Sequence, residues 1–202
     1  MDVGGLVASS LNILDSDFLA GRYKFTNSSN SGEILNQGNI NINPGGVVAL
    51  ISPKISNEGS ITSNGGSVAL VAGNQVVVDF TGDGLITFTV DKGAIDALVE
   101  NKGLVKADGG VVVMTAKAAD ELRQSVVSNS GIIDANSLQQ NGGRIVLDAV
   151  GGMTIVSGTL DASSTNGMGG EVVVKGDRVM VKDGARLTAS GLTRDGEVLI
   201  ET

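Results

Sequence analysis

The chain has 202 residues, a net charge of −8 at neutral pH, no cysteine and no histidine, and it is 41% hydrophobic but only 2% aromatic. The acidic balance argues against nucleic acid, which asks for a basic footprint, and against electrostatic docking on anionic lipid. Without Cys or His there is no disulfide, no thiolate or imidazole metal site and no Ser-His-Asp or Cys-His catalysis, and no apolar run reaches the roughly 18 residues of a membrane-spanning helix.

Thirty glycines, about twice the average share, accompany Val, Ile, Leu and Ala. Such a chain forms many short strands joined by tight turns. The first 18 residues lack a basic n-region and a clean apolar h-region, so they do not read as a signal peptide. If the protein is exported, the sequence is expected to be less than the whole precursor.

From residue 36 onward a degenerate repeat appears. One half carries a glycine followed by an apolar residue, at Gly38-Asn39-Ile40, Gly59-Ser60-Ile61, Gly103-Leu104-Val105, Gly131-Ile132-Ile133, Gly158-Thr159-Leu160 and Gly184-Ala185-Arg186-Leu187. The glycines recur after 21, 44, 28, 27 and 26 residues. The interval of 44 is close to two units, so an irregular turn is expected around 77–100. Ile61, Val105, Ile133, Leu160 and Leu187 form an apolar column, followed two residues later by the small Ser63, Ala107, Ala135, Ala162 and Ala189.

The other half reads Gly-Gly-x-apolar-x-apolar, at Gly45-Gly46, Gly65-Gly66, Gly109-Gly110, Gly142-Gly143 and Gly169-Gly170, with Asp195-Gly196 as a variant. These Gly-Gly pairs read as turn glycines supplying positive φ. Val48, Val68, Val112, Ile145, Val172 and Val198 align in one column, with Leu50, Leu70, Met114, Leu147, Val174 and Ile200 two residues on. A period of two puts both columns on one buried face. A third strand per unit is suggested by Val76-x-Val78, Met153-x-Ile155 and Val179-x-Val181.

Three stretches depart from the pattern. A hairpin outside the stack is expected from 76–80 and 85–90 around Thr81-Gly82-Asp83-Gly84. Short helical turns are expected at 93–100 and 118–123. One unit cannot bury its own apolar face, whereas stacked units share a continuous core. The reading is therefore an all-β, right-handed parallel β-helix, with an N-terminal segment at 1–35 and repeats over 36–202. An antiparallel sandwich would not explain columns of like residues at a fixed period.

The segments DVGGLVAS (2–9), DFLAGRYKF (17–25), VVDFTGDGLITFTVDKGAIDALVENKGLVKADGGVVVMTAKAADEL (77–122) and VSGTLDAS (156–163) resemble the filamentous haemagglutinin family. That resemblance implies a large Gram-negative exoprotein, secreted or held at the cell surface. It implies export through the outer-membrane pore transporter of a two-partner secretion system, and adhesive work toward a host-cell or carbohydrate receptor. Family secretion domains start well upstream of a segment like 2–25 and carry an Asn-Pro-Asn-Gly motif. Asn43-Pro44-Gly45-Gly46 lies inside a repeat and is not that motif, so the chain reads as the end of a secretion domain with the first shaft repeats.

Candidate chemistry is sparse, and no enzyme activity or cofactor is expected. Paired carboxylates, as a polysaccharide-active β-helix would use, could come from Asp79, Asp83 and Asp91, or from Asp134 and Asp161 on adjacent turns. Aromatic platforms for a sugar are nearly lacking, so solvated turn residues are the simpler reading. Asp79-Phe80-Thr81-Gly82-Asp83-Gly84 loosely matches a calcium loop but lacks its later ligands. One surface feature stands out: Ala49, Ala69, Val113, Val146, Val173 and Leu199 form a wholly apolar outward row. It reads either as covered by an extra-helical segment or as a contact stripe for a partner. The last strand, at 198–202, is expected to leave an open rung that favours end-to-end self-association.

Overall fold

The computed structural model describes residues 2–28, 31–79, 87–119, 125–138 and 142–202. Sixteen of the described strands form one parallel sheet wound into a β-helix. Its coils present three ladders. The chain enters each coil on the first ladder, made of Ile34–Asn36, Lys54–Asn57, Leu98–Asn101, Ser125–Asn129 and the later parts of Arg144–Val156 and Glu171–Val181. It turns onto the second at the start of Asn39–Ser52, then Ser60–Thr62, Leu104–Lys106, Ile132–Asp134, Thr159–Asp161 and Arg186–Thr188. The third joins Asp2–Ser9, the end of Asn39–Ser52, Ser67–Ala72, Val111–Lys117, the starts of Arg144–Val156 and Glu171–Val181, and Glu197–Glu201.

The two apolar columns of the Gly-Gly half line the third ladder. Val68, Leu70, Val112, Met114, Ile145, Leu147, Val172 and Val174 are all fully buried in one core with Ile61, Val105, Ile133 and Leu160 of the second ladder. Each such side chain contributes about 1.5–3 kcal/mol by leaving water. Val198 and Ile200, on the last described rung, remain 43% and 49% exposed because they have a neighbouring strand on one side only.

The first ladder differs from the sequence expectation. Its inward column is Ile34, Ile55, Val99, Val127, Thr154 and Val179, one residue out of step with the Met153 and Ile155 column. Val76 and Val78 do not belong to it at all. The next inward column is Asn36, Asn57, Asn101 and Asn129, and the last three are completely buried. Asn36 Nδ2 donates to Asn57 Oδ1 at 2.7 Å, Asn57 to Asn101 at 2.7 Å and Asn101 to Asn129 at 2.8 Å. A buried amide is tolerated only when paired, and this row pairs each with the rung above and below.

The interval of 44 residues is a single coil, because Asn57 pairs directly with Asn101. The extra length makes an excursion. Gln75–Asp79 and Thr87–Lys92 pair antiparallel, as the hairpin reading requires, while the turn residues 81–84 lie outside the described ones. With Tyr23–Thr26 and Asn12–Ile13 they form a four-stranded antiparallel sheet. The expected helical turn at 93–100 is absent: Ala94 bridges Ala118, Asp96 adopts φ 55°, and Leu98–Asn101 is strand. Cross-rung pairing on both sides of that strand overrides local helix propensity. The companion turn at 118–123 falls largely outside the described residues. A five-residue helix, Asp15–Leu19, was not anticipated. Ile34–Asn36 is a strand of the stack, and residues 5–9 pair with 47–51.

The Gly-Gly corner shows why glycine is needed. Gly65 sits at φ 65°, where an L side chain is strained. A Cβ on Gly66 would collide with the Gly46 carbonyl oxygen of the preceding rung. Among the Gly-Gly pairs of the repeat, positive φ occurs at the first glycine of the three early ones, Gly45, Gly65 and Gly109. At Gly142 and Gly169 the requirement is close backbone approach, which corrects the uniform positive-φ expectation.

Candidate contact surface

The outward row of the third ladder runs Ala49, Ala69, Val113, Val146, Val173, Leu199 by direct pairing. The small antiparallel sheet lies over its N-terminal end. Ile51, Ala69 and Val71 from the stack pack with Leu11, Val76 and Val78, and Tyr23, Phe25, Phe88 and Val90 close the edges. Ala69 is buried there, and Ala49 on the neighbouring strand is buried as well. Lys117, at the end of its ladder strand, donates its ammonium to the Val90 carbonyl at 2.9 Å and tethers the sheet.

Beyond the small sheet the row is bordered by charge. Arg144 and Glu171 form an ion pair along one side, and Lys175 and Glu201 along the other. Val173 sits between them, with Val146 and Leu199 above and below, and is only 2% exposed. Long charged side chains cover apolar surface with their stems in this way. Val113, Val146 and Leu199 are half-buried. Asp148 shares the Lys175 row. Burial pushes its carboxyl above the usual range, with Lys175 opposing and Glu201 adding to the shift.

Among the described candidate carboxylates, Asp134 and Asp161 hold turns. Asp134 and Asp161 are stacked neighbours, as expected. Asp134 accepts the Asn136 N–H at 3.0 Å and the Lys106 ammonium at 3.3 Å. Asp161 accepts the Ser163 N–H at 3.1 Å. Burial works to raise the Asp161 carboxyl, but hydrogen bonds, first those from Ser163, outweigh it and hold the group below its ordinary value. A general acid needs the opposite shift. Asp91 accepts from the Gln75 amide at 2.8 Å, Asp79 lies across from Thr87, and Asp83 is outside the described residues. Among the described residues, no three acidic side chains gather to hold a metal ion.

A groove of about 790 Å³ follows the Gly-Gly corner from Gly109 and Gly110 to Gly196, rimmed by Arg144, Glu171, Arg194 and Asp195. Its floor is bare backbone, a consequence of the stacked glycines. What sequence reasoning missed is the origin of the cover over Ala69. The signal was present in the aromatics: Phe18, Tyr23, Phe25, Phe80 and Phe88 all fall in the two segments outside the repeat.

No protein-family model matches the chain, and no curated protein sequence does. Among solved structures it is similar to the secretion domain of HMW1 from Haemophilus influenzae, with a TM-score of 0.68 and 23% identity over 94% of this chain. The chain spans 59% of the length of that HMW1 chain, and at this identity the likeness is one of fold: a parallel β-helix shared with a secretion domain.

Proposed function

We propose that this chain is a structural segment of a large exoprotein exported by two-partner secretion in a Gram-negative bacterium. The observation that carries the reading is the fold likeness to the HMW1 secretion domain across 94% of the chain. The resemblance of 2–9, 17–25, 77–122 and 156–163 to the filamentous haemagglutinin family supports it independently of shape. The partner is an outer-membrane pore transporter, and the surface role is adhesion by a rigid rod toward a host-cell or carbohydrate receptor.

A parallel β-helix suits export because each coil finds its hydrogen-bond partners on the coil before it. A chain emerging through a pore can add coils one at a time outside the cell. Apolar side chains such as Leu147 are then buried as soon as the next coil arrives. The half-buried Val113, Val146 and Leu199 are the part of the outer row left for a contact with the transporter.

The test places the chain behind a cleavable signal peptide and expresses it with and without a two-partner transporter. Folded protein in the medium only when the transporter is present is the expected result. Retention in the periplasm under both conditions, for a chain shown to fold, would overturn the reading.

A further inference from the structure

The outer face of the small sheet carries a polar depression of about 350 Å³. Its floor is a cross-strand row in which Asn12 pairs with Thr26 and Thr26 with Gln75. Phe25 packs inward against the buried cluster, so its neighbours Lys24 and Thr26 project outward. Leu14 supplies an apolar wall, 61% exposed, and Asn27 closes the far end.

Several of these groups are already positioned. Gln75, only 8% exposed, is fixed through its amide to Asp91 at 2.8 Å. Asn27 is fixed through its amide to Asn74 at 2.6 Å, and Asp17 is occupied by Arg22 at 2.8 Å. Among the described residues, the Lys24 ammonium, the Asn12 amide and the Thr26 hydroxyl have no side-chain partner. Their hydrogen-bonding capacity converges on one hollow. With Asp17 offset by Arg22, Lys24 leaves the site one positive charge in surplus, on a chain whose net charge is −8.

We propose that this pocket binds a sugar acid, a compact ring of hydroxyls bearing one carboxylate. Lys24 takes the carboxylate in a charge-assisted hydrogen bond. Amides and hydroxyls both donate and accept, which suits ring hydroxyls that do the same. Leu14 packs against one ring face in place of an aromatic platform. A doubly charged phosphate fits less well, because a single cation would face it beside the Asp17 carboxylate.

The inference stands apart from the export reading and is tested on the purified chain. Amide resonances are followed during titration with D-galacturonate, D-galactose and acetate. Galacturonate is expected to shift amides of residues 12–28 and Gln75, with a dissociation constant on the order of millimolar, as befits a small polar ligand on an open site. Galactose lacks the charge and acetate lacks the hydroxyls, so each is expected to bind at least about tenfold more weakly. Lys24→Met should reduce galacturonate to the level of galactose without changing the melting temperature. Unmoved amides, acetate binding equal to galacturonate, or full binding by Lys24→Met would each overturn the proposal.

Discussion

The side-chain amide of Asn101 donates to Asn129 Oδ1 at 2.8 Å while its own carbonyl oxygen accepts from Asn57, so one buried residue joins three coils. Replacing Asn101 by Leu leaves the Asn129 oxygen without its Asn101 donor and the Asn57 amide with only the Leu104 carbonyl as acceptor, in a buried site. An orphaned buried polar group costs about 1–3 kcal/mol, so Asn101→Leu is expected to lose roughly 2–4 kcal/mol in chemical denaturation. Asn36→Leu, at the less buried end of the row, orphans only the Asn57 oxygen and should lose about half as much, roughly 1–2 kcal/mol. Equal losses would mean that the row does not act as a chain of dependent bonds.

The core columns make a second prediction. Leu147 is fully enclosed between Met114 and Val174 of the adjacent coils. Leu147→Ala should cost about 2–5 kcal/mol, with the spread set by how far the cavity collapses. Ile200→Ala, in the same column but 49% exposed, should cost under about 1 kcal/mol. The two midpoints in a urea titration give the comparison directly, and a large loss at Ile200 would show that the last rung is covered in solution.

These two cases also separate what the sequence could tell from what it could not. The second and third ladders were legible because their inward residues are apolar at every second position, as at Ile145 and Leu147, and recur in columns from unit to unit. The first ladder was not, since its inward positions include Asn57, Asn101, Asn129 and Thr154, which look like surface residues until the amides are seen to pair. The recurring Asn-x-Gly at 36–38, 57–59, 101–103 and 129–131 was the available signal. The cover over Ala69 could not be read locally, because it depends on Tyr23–Thr26 meeting Gln75–Asp79 some fifty residues later. The turn-holding role of Asp134 and Asp161 was half legible: their stacking follows from the repeat, but their acceptor bonds depend on the backbone two residues on.

Glycine at the coil corners gives a third prediction. A Cβ at Gly103 would collide with the Gly59 carbonyl oxygen in the coil below, and that backbone is itself stacked on Gly38. There is no flexible side chain to give way, so Gly103→Ala is expected to cost more than about 2 kcal/mol and to lower the cooperativity of unfolding. Gly4→Ala, with open space around the added carbon, should be close to neutral. Thermal melts of the two variants would show the contrast, and a Gly103→Ala protein as stable as the parent would mean that adjacent coils can separate locally without loss.

The last prediction concerns pH, where two aspartates on the surface of the stack act in opposite directions. Asp161 is held below its ordinary value by the Ser163 hydrogen bonds despite its burial. Its contribution is therefore present above the unfolded carboxylate value, near pH 4, and is lost as pH falls through the lower folded value. Asp148 is raised by burial, so the folded state holds its proton more tightly than the unfolded chain. Its charged form weakens the fold at neutral pH, and the penalty fades as pH drops through the raised value. Asp161→Asn should thus destabilise at pH 7 and narrow its deficit as pH falls below the unfolded carboxylate value, where the wild type progressively loses the same contribution. Asp148→Asn should be at least as stable as the parent at pH 7, because Lys175 retains Glu201 as its partner, and should lose that advantage in acid. Urea titrations of the three proteins between pH 3 and 7 measure both trends. Parallel pH profiles for the two variants would show that neither carboxyl is perturbed in the way its surroundings require.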